Sequence, residues 1–171
     1  MSLYIQYHNG EKRGLPNVAP GEGRFEVSTA HKQGRNAEGT VFVIASVGRP
    51  KCFYLWETFA IETVEPFSKN GTLFYHIQGP GWQLSPPQRL IGPHFETFKN
   101  SCANFVCFRK IDDLPYSVTL KRLAEQHRAV KPDAMQPFLE ELLGLVRKGT
   151  DDHDTVLKLL TQSLDREAAG C

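Results

Sequence analysis

The chain has few cysteines, and none of them stand at a spacing that holds a metal ion. Four occur among its 171 residues, at Cys52, Cys102, Cys107 and Cys171. Their separations are irregular and no CxxC pair is present, which argues against a structural zinc site and against a disulfide framework. We therefore expect neither a bound metal nor another cofactor.

Long apolar runs are also missing. No stretch approaches the length that crosses a bilayer, and the start of the chain, MSLYIQYHNGEK, lacks the basic segment and hydrophobic core of a secretory signal. Hydrophobic residues make up 40% and charged residues 23% of the chain, which is typical of a globular domain. We expect a cytoplasmic protein that has no membrane contact.

Signatures of catalysis are absent as well. The sequence contains no GxSxG elbow, no GxxxxGK phosphate loop, no HExxH pair and no glycine-rich dinucleotide fingerprint. This favours a binding protein over an enzyme. A net charge of +1 excludes the strong overall field of a histone-like protein.

Two long apolar strands joined by a basic turn are present at residues 39–66. Apolar residues alternate on each side of the turn with the period of two that predicts β-strands, over 41–47 and over 53–62. Gly48, Arg49, Pro50 and Lys51 form the turn between them. Further alternation predicts strands at residues 3–8, at 72–78 and at 105–109.

The period of the sequence changes near residues 112–117. Before this point strand signals dominate, although residues 11–38 show little periodicity apart from a short strand signal at Arg24 to Val27, and are interpreted as a long surface loop. The Gly79-Pro80-Gly81 sequence is expected to end the strand at 72–78. After Val118 the apolar spacing is helical and predicts three amphipathic helices. We predict an α+β protein in which residues 1–113 form a small curled mixed β-barrel and residues 114–171 form a helical extension.

Basic and aromatic residues cluster around the central hairpin. The segment 24–51 carries an excess of three positive charges, and four of its basic residues are our candidates for phosphate contacts: Lys32, Arg35, Arg49 and Lys51. Aromatic rings stack on bases extruded from a duplex, while polar groups read the base edge. The candidates for such a base pocket are Tyr54, Trp56 and Trp82, with Ser46 and Asn104 as edge readers. Taken singly, each aromatic residue is explained at least as well by packing in the core.

Four segments carry a resemblance to a known superfamily: YIQYHN, FYLWETFAIETVE, GPGW and FKNSCANF. They resemble prokaryotic proteins and nuclease-associated N-terminal modules of the PUA-like superfamily, which includes the EVE, YTH and ASCH domains. The resemblance covers residues 1–113. The tryptophan and polar signature that opens a typical EVE domain is not found, and the helical last third has no counterpart.

The resemblance implies a curled β-barrel whose aromatic pocket accepts a modified base of DNA, or less readily of RNA. Such modules often accompany restriction nucleases. Two alternatives remain open. The helices after Val118 could form a homodimer or bind a partner protein, or the same fold could act as an ASCH-type hydrolase of small molecules.

Overall fold

The computed structural model describes residues 1–105 and 108–169. Its strands are β1 (Ser2–Asn9), β2 (Gly21–Thr29), β3 (Gly39–Val47), β4 (Cys52–Ala60), β5 (Thr63–Lys69), β6 (Thr72–Leu90) and β7 (Arg109–Lys110). Its helices are α1 (Gly10–Arg13), α2 (Pro93–Ser101), α3 (Tyr116–Gln126), α4 (Pro132–Leu145) and α5 (Asp151–Ala169). Two 3₁₀ turns lie at Lys32–Gly34 and Ala103–Phe105.

Within the described residues, the seven strands form one mixed sheet in the order β2-β6-β4-β3-β1-β7, and β5 pairs with the first part of β6 on the side opposite to β2. β1 runs parallel to β3, whereas the other pairs are antiparallel. The α+β prediction is therefore confirmed. The sheet is not closed into a barrel, since β2 and β7 stand at opposite ends of the strand order.

Both faces of the sheet are covered. On one face, apolar residues of β1, β3 and β4 such as Ile5, Ile44 and Leu55 pack against α2 and α3. The opposite face carries two separate clusters. Ala45, Tyr54 and Trp56 pack under α4 and α5, whereas further along the same strands a second cluster is closed by β2 and the first half of β6.

β6 continues where the sequence predicted a break. It runs through Gly79 and Gly81 and on through the two prolines at 86 and 87 to Leu90. The glycines are needed because β4 passes very close. A Cβ at Gly79 would lie 1.8 Å from the carbonyl oxygen of Ala60, and one at Gly81 would lie 2.1 Å from that of Thr58. The prediction of a strand end was wrong, because these glycines permit a close backbone approach instead of a turn.

Replacing Gly79 by alanine is therefore expected to destabilise the protein by about 3 kcal/mol or more, because backbone atoms cannot move aside as a side chain can. Urea denaturation followed by circular dichroism measures this. Gly144→Ala is the matched control. Its Cβ would meet nothing within 4 Å on α4, and helix propensity predicts a gain of about 0.5–1 kcal/mol. Equal stability of the two variants would contradict the close-approach explanation.

Residues 11–38, which were interpreted as a surface loop, contain the nine-residue strand β2. Its inner side chains Phe25 and Val27 alternate with the exposed Arg24 and Glu26, so the strand period was present but short. Its pairing with β6 supplies the hydrogen bonds that stabilise it. The strand predicted at 105–109 is only partly observed as β7, and residues 106–107 lie outside the described part of the chain.

The three C-terminal helices follow the predicted order. α3 packs through Leu120 and Ala124 onto one face of the sheet. α4 and α5 cover the other face through Leu139, Leu142 and Val156. The division of the chain at residue 113 stays a prediction. Among the described residues, no helix combines the length and the apolar character needed to span a membrane.

Candidate functional site: a polar cleft

A β-bulge in β4 places the carboxylate of Glu57 on the face of the sheet that is also covered by α4 and α5. Ile44 of β3 pairs with Leu55, and the preceding Val43 pairs with Glu57, so Trp56 is the extra residue on β4. A bulge of this kind re-aims the side chains beside it. As a result Trp56 packs under α4, while the next residue, Glu57, lines an open cleft together with Val43.

This polar cleft has a volume of about 250 Å³. It lies between β1, β3 and β4 on one side and β2 and the segment after β1 on the other. Val27, Val43 and Pro16 supply apolar parts of its lining. Its side chains with hydrogen-bonding or charged groups include Gln6, His8, Arg13, Glu26, Ser28 and Glu57. A concave site with a few convergent polar groups is the usual form of a ligand site.

The surroundings of Glu57 change the acidity of its carboxyl. Burial raises the pKa of its carboxyl from the ordinary 4.5 to about 7, because the charged form loses hydration. Among the described residues, no ion pair or hydrogen bond joins the Glu57 side chain to another residue. A half-buried carboxyl without a protein partner, in a cleft that reaches solvent, is characteristic of a functional site.

The other charged groups of the cleft are differently placed. Glu26 on β2 lies 3.2 Å from Nε2 of His76, and the other ring nitrogen of His76 lies 3.3 Å from Oγ of Ser28. Arg13, at the end of α1, is exposed and forms no ion pair among the described residues. It therefore offers an uncompensated positive charge at the cleft.

The segment 14–20 borders the cleft and is held by side chains from the sheet. His8 Nε2 lies 2.7 Å from the carbonyl oxygen of Gly14. The indole N–H of Trp56 donates to the carbonyl oxygen of Asn17 at 3.0 Å, and the amide N–H of Ala19 donates to Oε1 of Gln83 at 2.9 Å. These hydrogen bonds fix a segment that has no regular secondary structure.

The aromatic residues predicted for a base pocket lie elsewhere. Tyr54 and Trp56 are only 1% and 0% exposed, and their rings pack edge-on against Phe138 of α4. Tyr54 also donates a hydrogen bond to Glu141 at 2.7 Å. Burial raises its pKa, as does that hydrogen bond. In this conformation neither ring is open to a base.

The remaining predicted pocket residues are separated from these two. Ser46 is buried on the opposite face, where its Oγ lies 2.6 Å from the hydroxyl of Tyr7. Trp82 packs against the α2–α3 side of the sheet, donates to the carbonyl oxygen of Ala124 at 2.9 Å and stacks under Arg128. Asn104 is exposed, with a left-handed φ of 54°. The five predicted residues therefore do not line one cavity.

The predicted phosphate contacts are all exposed and lie near the two ends of β1. Arg49 forms an ion pair with Glu11 of α1, directly after β1, and Nζ of Lys51 lies 3.4 Å from the hydroxyl of Tyr7. Lys32 and Arg35 flank Gln33, whose Oε1 accepts a hydrogen bond from the backbone of Lys110, opposite Tyr4. The cleft residues Gln6 and His8 lie between these two basic groups.

Sequence reasoning missed Gln6, His8, Arg13 and Glu57 as site residues. A signal was available at Glu57, because it is a charged residue inside the apolar run FYLWETFA. Glu57 was assigned no site role from the sequence, because together with Glu62 and Glu65 it follows a strand instead of pairing with a second carboxylate across a cleft. No group of three or more His, Cys, Asp or Glu residues is placed to hold a metal ion in the part of the chain that the structure describes.

Other openings are larger than the polar cleft and have less convergent chemistry. One, of about 500 Å³, lies between residues 18–20, α4 and α5, and one of about 300 Å³ lies beside the β3–β4 turn. No family model, no curated protein and no solved structure matches the chain. The geometry of the polar cleft is thus the strongest guide to function.

Proposed function

We propose that this protein is a nucleic-acid-binding module of the PUA-like type that takes one base, extruded from DNA, into the polar cleft. The observation that carries the proposal is the half-buried carboxyl of Glu57, which has no partner among the described residues and lines a cleft of about 250 Å³. A cleft of this size suits a single heterocyclic base. Restriction-associated recognition of a modified base is the corresponding biological role.

The positions of the basic residues support a path for the nucleic-acid backbone. Arg13, Arg49 and Lys51 lie toward the Asn9 end of β1, whereas Lys32 and Arg35 lie toward its Tyr4 end. Five residues of strand span about 17 Å, which is the length of a few nucleotides. Lys51 contacts Tyr7 on the α2–α3 face of the sheet, so the cations proposed to hold the phosphates that flank an extruded base are Arg13 and Arg49 at one end and Lys32 and Arg35 at the other.

The chemistry of the cleft supports base recognition more than stacking. Base extrusion costs a few kcal/mol, which contacts in the pocket must offset. His8 offers an aromatic ring, and Pro16 and Val27 offer apolar contact. The polar side chains then provide hydrogen bonds to the base edge. Trp56 has a supporting role in this proposal, because it holds the segment 14–20 and does not touch the base.

Binding of labelled DNA, measured by fluorescence anisotropy at several salt concentrations, tests the proposal. Affinity for DNA should fall steeply with salt, and Arg13→Ala should lower it and reduce the log–log salt slope by about 1. Lys121→Ala, an exposed basic residue on α3, is the matched control and should leave the slope unchanged. Matched duplexes with unmodified cytosine, 5-methylcytosine, 5-hydroxymethylcytosine or N6-methyladenine test the preference for a modified base.

Absence of DNA and RNA binding would overturn the proposal. If the protein then eluted as an oligomer, we would instead propose a protein-interaction module that uses the C-terminal helices.

A second candidate function is the ASCH-type hydrolase. It is favoured by one specific observation, the pKa of about 7 at Glu57, which is where a general base works near neutral pH. Incubation of the protein with nucleosides, followed by chromatography, separates the two functions. A reader leaves the nucleoside intact, whereas a hydrolase releases the base.

A further inference from the structure

The polar cleft contains hydrogen-bond acceptors that lack donors. Oε1 of Gln6 is buried and has no hydrogen-bond partner among the described residues, while its Nε2 donates to the carbonyl oxygen of Tyr7 at 3.1 Å. A buried acceptor left unpaired destabilises the protein, because it has lost its hydrogen bond to water and gained none in return. A ligand that brings an N–H group to Gln6 would remove this cost.

Glu57 adds two more acceptors. An ionised carboxylate has only acceptor atoms, and its two coplanar oxygens can receive two parallel N–H groups at once. The bulge in β4 directs this carboxylate into the cleft, and no described residue supplies a donor to it. The site therefore contains several hydrogen-bond acceptors without donors. A ligand edge that carries several N–H donors would complement it.

We infer that the polar cleft selects a guanine-type base by its Watson–Crick edge, with N1–H and the 2-amino group donating to Glu57 and Gln6. This inference rests on the proposed function, because it names the base that the cleft takes. Arg13 carries only donors and lines the same cleft, so it is suited to meet the O6 carbonyl oxygen.

The other bases fit this arrangement less well. On their Watson–Crick edges, adenine and cytosine each place one amino donor beside a ring-nitrogen acceptor, and thymine places one imino donor between two carbonyl oxygens. Each of them would turn at least one lone pair toward Glu57 or Gln6. Guanine alone presents two adjacent donors, which is the pattern that a carboxylate accepts in a bidentate manner.

The inference also predicts how binding depends on pH. The carboxylate accepts both N–H groups only when it is ionised, and the pKa of Glu57 is about 7. Affinity for guanine should therefore rise about 30-fold between pH 5.5 and pH 8. The other charged or titratable groups facing Glu57 in the cleft are His8 of β1, Arg13 of α1 and Glu26 of β2. An uncharged nucleoside as the ligand keeps their effect on phosphate binding out of the measurement.

The test compares guanosine with inosine, which differs only in lacking the 2-amino group, and with adenosine and cytidine. Binding is followed by NMR titration of the full chain, and in parallel with oligothymidine strands that carry one central guanine, hypoxanthine, adenine or cytosine. Guanine should bind at least tenfold more tightly than hypoxanthine. Glu57→Gln should remove both this preference and its pH dependence, whereas the exposed Glu65→Gln on β5 should keep both.

The outcomes separate the inference from the proposed function. Salt-dependent binding of all four strands with equal affinity would overturn the guanine inference and leave the proposed function standing. Guanosine binding without affinity for any strand would overturn the proposed function and support the inference. If Glu57→Gln failed to fold, the guanine–hypoxanthine comparison on the unaltered protein would still decide the matter.

Discussion

Replacing Trp56 by alanine is expected to lower the free energy of unfolding by about 3–5 kcal/mol. Its indole is fully buried between the sheet and α4, and truncation of a buried aromatic ring leaves a cavity that the surroundings fill only in part. The change also leaves the carbonyl oxygen of Asn17 without its donor. Urea denaturation followed by far-ultraviolet circular dichroism measures the loss.

Two further variants make this result specific. Trp56→Phe keeps most of the apolar volume and removes the N–H donor, so it should cost about 1–2 kcal/mol. Leu164→Ala on α5 removes a side chain that is 46% exposed and should change stability by less than about 0.5 kcal/mol. A Trp56→Ala variant as stable as the parent protein would mean that the ring is not part of the core, and would return it to the role of a stacking platform.

The burial of Tyr54 and Trp56 shows that the exposure of a sheet face could not be predicted from the sequence. Alternation in β3 and β4 predicted the hairpin. The same alternation placed Tyr54 and Trp56 on the same face of the sheet. Which face is open depends on where α4 docks, and Phe138 follows Trp56 by more than eighty residues. A local pattern carries no information about such a distant contact, so an aromatic pocket and an aromatic core cannot be told apart from it.

Glu57 illustrates a different limit. A strand has a side-chain period of two, and one inserted residue reverses the facing of everything after it. Phe59 was therefore predicted to share a face with Leu55, whereas it packs with Val41 and Val43 on the other face. The bulge depends on the pairing of β4 with both β3 and β6, which no single strand encodes. Strict alternation would place Glu57 on the face of Leu55, whereas the bulge turns it into the cleft.

Gly79 is a third case. It was identified in the sequence, but it was wrongly predicted to end a strand. Glycine and proline together usually signal a turn. In β6 the same residues allow the strand to pass close to β4. Whether such residues form a turn or a close backbone approach depends on the strand that packs beside them, and the local sequence does not show which strand that is. Residues whose role is set by chain neighbours, such as Gly48 in its turn with a φ of 81°, were predicted well.

Replacing Glu57 by glutamine is expected to make stability less dependent on pH. The pKa of Glu57 is about 7 in the folded protein, against an ordinary value of 4.5. Below pH 4.5 the carboxyl is neutral in both the folded and the unfolded states and has no effect on their balance. As the pH rises from 4.5 to 7, the unfolded state ionises first, so the folded protein loses stability by about 3 kcal/mol in all.

Glutamine carries no charge at any pH and escapes this loss. The difference in unfolding free energy between Glu57→Gln and the parent protein should therefore shift in favour of the variant by about 3 kcal/mol between pH 4 and pH 8. Contributions from all other titrating groups are common to both proteins and cancel in the comparison. Glu65→Gln, at an exposed site on β5, should give a difference that stays constant with pH.

Parallel stability curves for the parent protein and Glu57→Gln would show that the carboxyl is well solvated, and would remove the main support for the cleft as a binding site. The expected divergence has a functional meaning. A glutamine at this position would stabilise the fold at neutral pH, so the carboxylate destabilises the unliganded protein. A ligand that donates hydrogen bonds to the carboxylate offsets that cost only while it is bound. Binding should therefore lower the pKa of Glu57, release protons near pH 7 and raise the stability of the parent protein more than that of the glutamine variant.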